Sequence, residues 1–487
     1  MMKKKFNTQI QTFIKEFSKN LQDDNVAIFA GAGMSRPCGY VDWKQLLKDI
    51  AEELDLKIDK ENDLVTLAQY HVNHKQSKQK LEEKILNEFS EDAETSENHK
   101  ILARLPISTY WTTNYDSLIE KSIKEERKKV AVKRNVKDLN QNVYGSHATV
   151  FKMHGDVQDA ANAILTKDQY EIYHSTHLPF VTALKGDLVQ KTFLFIGFSF
   201  EDPNLDYILS RVRIEQQENG RIHYCTMKRV SRNSFDNRPE DDAEYEYRKR
   251  KQELQIQELK RYHIHALLID DYEEITEILR QIEGAFKSNT VFISGSAEEY
   301  GRMGKDMAQG FIHKLSKQII EDKLRLVNGF GWGVGSAVIN GALDAIYDKS
   351  GKFSENQLIL RPFPQFKSGT KELPELWKEY REKMISQTGI AVFIFGNKKS
   401  SDSKIIDADG VRKEFEIAKK QGCFLIPIGM TEYMSSELWQ ELMDDFVAFY
   451  PNHHHLKDEF EKLGDDSLPE EEILKSAKKI INSLKNG

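Results

Sequence analysis

The amino-acid sequence predicts an α/β protein of two domains, each a mainly parallel sheet flanked by helices. Three observations predict it. At 487 residues the chain exceeds the length over which a single hydrophobic core keeps growing. Through the first half, short apolar runs alternate with helical patterns, the rhythm of a parallel sheet covered on both faces. The same rhythm restarts at residue 290 with TVFISGSAEEY.

Taken in order, Ile10, Phe13, Ile14, Phe17 and Leu21 recur at helical spacing and predict an amphipathic helix over 8–21. Strands are expected at 26–30, 108–112, 149–153, 192–198 and 222–226, with helices between them. From 237 to 262 the text becomes charged and helical, and its RKRK run is read as a solvated helix face. A strand, HALLI, and a helix, YEEITEILRQIEGAF, follow. In the second half, strands are expected at 291–294, 324–328, 357–361, 390–395 and 423–428, and a closing helix at 469–485. The expected division is 1–284 and 285–487, both Rossmann-like. No tandem repeat or low-complexity tract interrupts it.

Composition narrows the function classes. With 70 Lys and Arg against 77 Asp and Glu, the net charge of −7 argues against nonspecific wrapping of nucleic acid, which needs a dense cationic surface. The three cysteines, Cys38, Cys225 and Cys423, form no CxxC element, so a reduced cytoplasmic protein without a zinc site is expected. The start, MMKKKF, leads into a polar amphipathic pattern, and every apolar run is far shorter than a membrane span.

The first candidate site begins in VAIFAGAGMSRP, where Gly31 and Gly33 follow a buried strand and Ser35 adds a hydroxyl. A glycine pair there lets the backbone turn tightly and approach a pyrophosphate, and the next helix offers unpaired N–H groups. Arg36 stands where the dinucleotide fingerprint GxGxxG needs its third glycine, which weakens a dehydrogenase reading. Three further strand ends carry chemistry: Asn114 and Asp116 in TYWTTNYDSLIE, His154 in FKMHGD, and Gly197, Ser199, Asp202 and Asn204 in FLFIGFSFEDPNLDYIL. Singly, each has a plain structural reading: a turn asparagine, a core histidine, a helix N-cap in DPN. Ligands of open parallel sheets sit outside the carboxyl ends of strands, so all of them can converge on one crevice.

These motifs resemble the sirtuin family, in particular the sirtuin-like NAD hydrolases of bacterial antiviral defence. GAGMS is similar to the family's phosphate loop, TTNYD to its catalytic-asparagine segment, MHG to its catalytic-histidine motif and GFSFEDPNL to its nucleotide-binding turn. The resemblance implies catalysis by Asn114 and His154. It implies NAD contacts at Ala30, Gly31, Ala32, Gly33, Ser35, Asp116, Gly197, Ser199 and Asn204. NAD is then substrate, with no prosthetic group. The four-cysteine zinc module of the deacylases is missing, which disfavours a protein deacylase. The residue types fit glycosidic cleavage. Nicotinamide departs as a neutral leaving group, so the oxocarbenium-like ribose needs stabilising more than the leaving group needs acid. Asn114 is expected to orient the attacking water and a ribose hydroxyl. His154 is expected to bond the ribose diol and take the water's proton.

The second candidate site is the glycine-dense run NGFGWGVGSAVINGAL, together with Ser294, Gly295 and Ser296 at the preceding strand's end. This half resembles the SLOG superfamily, and the pairing of a sirtuin-like half with it resembles the Thoeris antiphage effectors. That resemblance implies a sensor for a cyclic ADP-ribose isomer made by a TIR-domain partner. It also implies a cytoplasmic homo-oligomer, a tetramer or higher. The implied effector contacts are Gly295, Ser296, Gly331, Gly333, Arg381, Lys398, Gly410 and Glu414. Arg381 and Lys398 would meet two phosphates, and Glu414 a ribose diol. The run PGGxGTxxE of enzymatic superfamily members is reduced here to Gly410, Val411 and Glu414, which favours binding over catalysis. Two other classes stay open: an NAD-dependent deacylase and a non-catalytic nucleotide-sensing scaffold.

Overall fold

A computed structural model describes residues 4–90, 92–232, 239–348, 351–367 and 370–486. The first three residues of MMKKKF and residues 237–238, at the head of the charged stretch, lie outside those described. The chain divides into two compact units, Met1–Glu283 and Gly284–Gly487.

The first unit holds seven strands: β1 Val26–Ala30, β2 Thr109–Thr112, β3 Val130–Lys133, β4 Ala148–Lys152, β5 Thr192–Ile196, β6 His223–Lys228 and β7 Ile264–Ile269. They form one sheet in the order β3-β4-β2-β1-β5-β6-β7, and every pairing is parallel. The run VAIFA is buried along its whole length because β1 is central and covered on both faces. The chain builds outward from β1 to one side with β2, and returns to the other with β5. The change of direction, where an open sheet leaves a crevice, therefore falls at the carboxyl end of β1. The opening helix, Thr8–Gln22, is capped by Asn7 through the Ile10 N–H. It buries Ile10, Phe13, Ile14, Phe17 and Leu21, each worth about 1.5–3 kcal/mol, and Phe13 packs on Tyr224 with ring centroids 4.5 Å apart.

Two details depart from the expected pattern. The strand expected over 192–198 stops at Ile196 because Gly197 turns into left-handed backbone at φ +65°. Strand β3 was not foreseen. It is a four-residue edge strand, and the charged text on both sides of VAVK leaves too few alternations to register. HALLI joins the same sheet as its far edge, beside β6. The RKRK run lies exposed on the helix Pro239–Arg261.

The second unit contains β8 Thr290–Ser296, β9 Arg325–Asn328, β10 Leu358–Leu360, β11 Ile390–Phe395 and β14 Phe424–Pro427, with an added antiparallel pair, β12 Asn397–Lys399 and β13 Ile405–Asp407. The main sheet runs β10-β9-β8-β11-β14 with parallel pairing throughout. Its first strand is again central, so its crevice falls at the carboxyl end of β8. Helices Gly304–Glu321 and Gly335–Asp348 meet closely at Gly341, where a Cβ would stand 2.1 Å from the His313 carbonyl oxygen. The closing helix, Glu470–Asn486, buries Ile473, Ala477, Ile480 and Leu484. Among the described residues no helix is long and apolar enough to cross a membrane.

Candidate functional site

In the first unit the loops after β1 and β5 press against each other. The Gly31 N–H donates to the Ile196 carbonyl and the Gly33 N–H to the Gly197 carbonyl, both at 2.9 Å. A Cβ on Gly31 would lie 2.4 Å from the Gly197 oxygen, and one on Gly197 2.3 Å from the Met34 nitrogen. The glycines are thus required for loop-to-loop contact as well as for any approach to phosphate.

Asn114 enters this junction from β2. Its backbone N–H donates to Thr112 Oγ1 at 3.0 Å, and that hydroxyl donates to the Ala30 carbonyl. Its carboxamide Nδ2 donates to the Gly31 carbonyl and to Ser35 Oγ, each at 3.0 Å. Ser35 in turn donates to Asp116 Oδ2 at 2.7 Å, while Asp116 Oδ1 accepts from the Leu118 N–H. Ala30, Gly31, Ser35, Asn114 and Asp116 therefore form one bonded cluster, and Asp116 orients its loop. Ala32 opens the short helix Ala32–Ser35. Ser199 is exposed and takes no part.

His154 sits in a neighbouring cluster with different partners. It is buried, with Nε2 3.1 Å from Asp202 Oδ2 and Nδ1 3.4 Å from the Tyr170 hydroxyl. Tyr170 and Tyr173 turn ring edges and faces toward it at centroid distances of 5.2 and 6.4 Å. Burial pushes the Asp202 carboxyl up, but the facing imidazole and the Leu205 and Asn204 N–H groups outweigh it and leave it below the usual carboxylate range. Burial likewise holds the Tyr170 phenol well above its ordinary value, so it remains a neutral hydroxyl. Asn204 is buried, and its Nδ2 finds no protein partner among the described residues. A cavity of about 280 Å³ is lined by Tyr170, Tyr173 and Asn204 of this cluster together with His174, Pro203 and Tyr207, but by neither His154 nor Asn114.

The two clusters join through the Tyr115 side chain and the backbone of Ile164. The Tyr115 hydroxyl donates to the Ile164 carbonyl, and the Ile164 N–H donates to the His154 carbonyl. From the sequence, Asp202 reads as part of the nucleotide-binding turn or as a helix cap, not as a partner of His154. It does cap Leu205, at 2.9 Å, and it also faces His154. Tyr170 carried no sequence signal at all.

In the second unit the same construction recurs. A Cβ on Gly295 would stand 2.5 Å from the Ile394 oxygen, one on Gly331 2.0 Å from the Gly295 oxygen, and one on Gly333 1.9 Å from the Ala297 oxygen. Tyr300 and Gln309 both donate to the Gly333 carbonyl, at 2.8 and 2.6 Å. The Ser296 hydroxyl donates to the Asn397 carbonyl. Glu414 is buried and accepts from Ser294 Oγ at 2.6 Å, with Arg381 Nε 3.3 Å from its other oxygen. Burial raises the Glu414 carboxyl above its ordinary range against the pull of Ser294 and Arg381. The Arg381 guanidinium also lies 4.9 Å over the Phe363 ring and packs beside Gly410. Lys398 pairs with Asp409, which the hydrogen bonds from Lys398 and Lys413 pull down to about 2. Arg381, Lys398, Gly410 and Glu414 thus gather around the first turn of the helix Asp409–Lys420, with both cations already engaged by carboxylates. Among the described residues no group of three or more His, Cys, Asp or Glu is arranged to hold a metal ion.

Residues 108–267 match the SIR2-like domain family, and residues 274–484 match the Sir2- and TIR-associating SLOG family. Along 484 residues the chain is 48% identical to NAD(+) hydrolase ThsA of Cytobacillus dafuensis, covering 99% of this chain and 98% of that protein. It is 47% identical to NAD(+) hydrolase ThsA of Bacillus cereus (strain MSX-D12), covering 99% and 100%. The chain belongs to the ThsA family. Defense-associated sirtuin 2 of Bacillus subtilis is a more distant relative, 28% identical over 213 residues, which make up 42% of this chain and 21% of that protein. Family membership sets the two crevices in context: the SIR2-like match spans Asn114, His154 and Asp202, and the SLOG match spans the Arg381–Glu414 group.

Proposed function

We propose that the chain hydrolyses NAD+ to nicotinamide and ADP-ribose in the first crevice, within a hydrolase domain over 1–284. The carrying observation is a carboxamide and a carboxylate-backed imidazole at strand ends near the topological switch, in a chain that matches proteins named NAD(+) hydrolase over nearly its whole length. The unpartnered, buried Asn204 amide supports the fit. It offers a donor to a polar ligand where an unsatisfied one would be costly.

In this reading Asn114 orients the attacking water and a ribose hydroxyl. His154 takes the water's proton as the C–N bond to nicotinamide breaks, and the bonding pair leaves with the neutral base. Asp202, facing Nε2, stabilises the imidazolium that forms. Ala32, Gly33, Ser35, Gly197 and Ser199 line the path of the dinucleotide.

The second domain, 285–487, binds a cyclic ADP-ribose isomer through Gly295, Ser296, Gly331, Gly333, Arg381, Lys398, Gly410 and Glu414. Because Arg381 and Lys398 are paired internally, effector phosphates compete with Glu414 and Asp409 for them. An effector can switch the hydrolase only by binding the active arrangement more tightly than the resting one. A TIR-domain protein supplies it, a reading supported by the description of the SLOG family. The wider role is NAD depletion during phage infection by a cytoplasmic homo-oligomer.

The test is NAD incubation of the parent, Asn114→Ala and His154→Ala proteins, with and without cyclic ADP-ribose isomers, following nicotinamide. Loss of release in both variants is expected, and parental release in both would overturn the assignment. Release only with an acyl-lysine peptide would favour a deacylase, and binding without consumption a scaffold.

A further inference from the structure

Lys152 closes β4 two residues before His154, and its side chain is fully buried. Its ammonium Nζ donates to the Tyr115 carbonyl at 3.1 Å and to the Asp116 carbonyl. It pairs with Asp156 Oδ2 at 2.6 Å and stands 3.5 Å from Glu120 Oε1. Desolvation pulls the ammonium's pKa down, but Glu120, Asp156 and Asp116 outweigh it and hold it raised, so Lys152 stays charged. On the far side of His154, the Val157 N–H donates to the same Tyr115 carbonyl at 3.0 Å. The stretch bearing His154 is thus fastened to the Asn114 loop from both ends.

A buried ionic group is a weak device for stability, since apolar residues of similar volume avoid its desolvation cost. What an apolar residue cannot supply is a donor to two adjacent carbonyls of the loop that aims Asn114. Resting on the reading above, we propose that Lys152 is a positioning residue for the hydrolysis: it ties the Asn114 loop to the strand carrying His154 and sets the gap across which the ribose is held.

The experiment uses the full chain, with nicotinamide release measured at the cyclic ADP-ribose isomer concentration that gives maximal parental turnover. The principal variant is Lys152→Met combined with Glu120→Gln and Asp156→Asn. It removes Lys152 together with the two carboxylates that pair with it, and leaves Asp116 held by the Ser35 hydroxyl and the Leu118 N–H. The rise in melting temperature on adding NAD reports the folded, binding-competent protein. That rise is expected to match the parent, with KM within roughly threefold and kcat lowered by about 10²-fold, the cost of a misplacement on the order of 1 Å. Lys152→Arg, which keeps the charge but moves the donor, is expected to fall between the two. Parental kcat in the folded, NAD-binding triple variant overturns the proposal, as does a KM that rises while kcat holds. If the triple variant does not fold, Lys152→Arg decides alone: lowered kcat at unchanged KM supports the role and parental kcat removes it. Asn114→Ala and His154→Ala run alongside. Parental turnover in those two sinks the hydrolase assignment, whereas their loss beside a fully active triple variant sinks only the role of Lys152.

Discussion

At the scale of single residues, Asp202 does two separable jobs. It caps the helix Pro203–Gln216 through the Leu205 N–H and faces His154 at 3.1 Å. Asparagine caps as well as aspartate but carries no charge to steady an imidazolium. Asp202→Asn is therefore expected to keep the parental melting temperature and to lower kcat by about 10²-fold or more. Asp202→Ala is expected to lose the same turnover and in addition about 1 kcal/mol of stability. Thermal melts paired with nicotinamide assays on both variants check this. DPN was legible as a cap because capping is local. The second job was not, because the order β4-β2-β1-β5 puts two strands between the one ending near His154 and the one preceding Asp202, and no local pattern reports a contact across them. Lys152 left a fainter trace. A lysine closing the apolar run ATVF is the kind of cation that, once buried, must find partners. At Gly31 and Gly197 an added Cβ meets backbone rather than a movable side chain. Gly31→Ala and Gly197→Ala should each cost about 1–3 kcal/mol, read from urea unfolding, and should impair NAD turnover.

At the scale of elements, the long apolar strands announced themselves. VAIFA, TFLFI and IAVFIF are buried throughout, so an unbroken apolar run was sufficient evidence. The edge strand β3 and the β12–β13 pair, three residues a side, did not, because strands this short and charged carry no period. Burial within the first unit also sets an acid response. His223 on β6 accepts the Phe193 N–H at Nδ1, and burial pushes its pKa down to about 3. His99 is likewise pushed down by burial to about 4. Both are neutral when folded and take up a proton near pH 6.5 when unfolded. The unfolded state binds more protons between those limits, so stability is complete above pH 6.5 and is lost as pH falls. The slope approaches about 1.4 kcal/mol per pH unit for each group. His223→Gln, which keeps an acceptor for the Phe193 N–H, is expected to flatten that slope in urea titrations at pH 7, 6 and 5.

At the scale of the whole molecule, the sequence contributed the α/β class and the sequence of motifs, while the state of the second crevice came from tertiary contacts. Arg381 is mostly buried against Glu414 and Phe363, whereas the Lys398 side chain is 44% exposed. The two are therefore unequal. A half-exposed ion pair is worth little, but the guanidinium presents a fork to a phosphate that an ammonium cannot copy. Arg381→Ala and Arg381→Lys are both expected to abolish the rise in nicotinamide release on adding a cyclic ADP-ribose isomer. Lys398→Ala should raise the concentration needed for half-maximal effect. Dose–response curves at saturating NAD distinguish these outcomes.

The paired amides that latch the turn after β1 onto the turn after β5 have a mechanical corollary. With no side chain between them to compress or slide, those two turns move as one stiff lintel. A guest that needs more headroom cannot obtain it by prising those two turns apart.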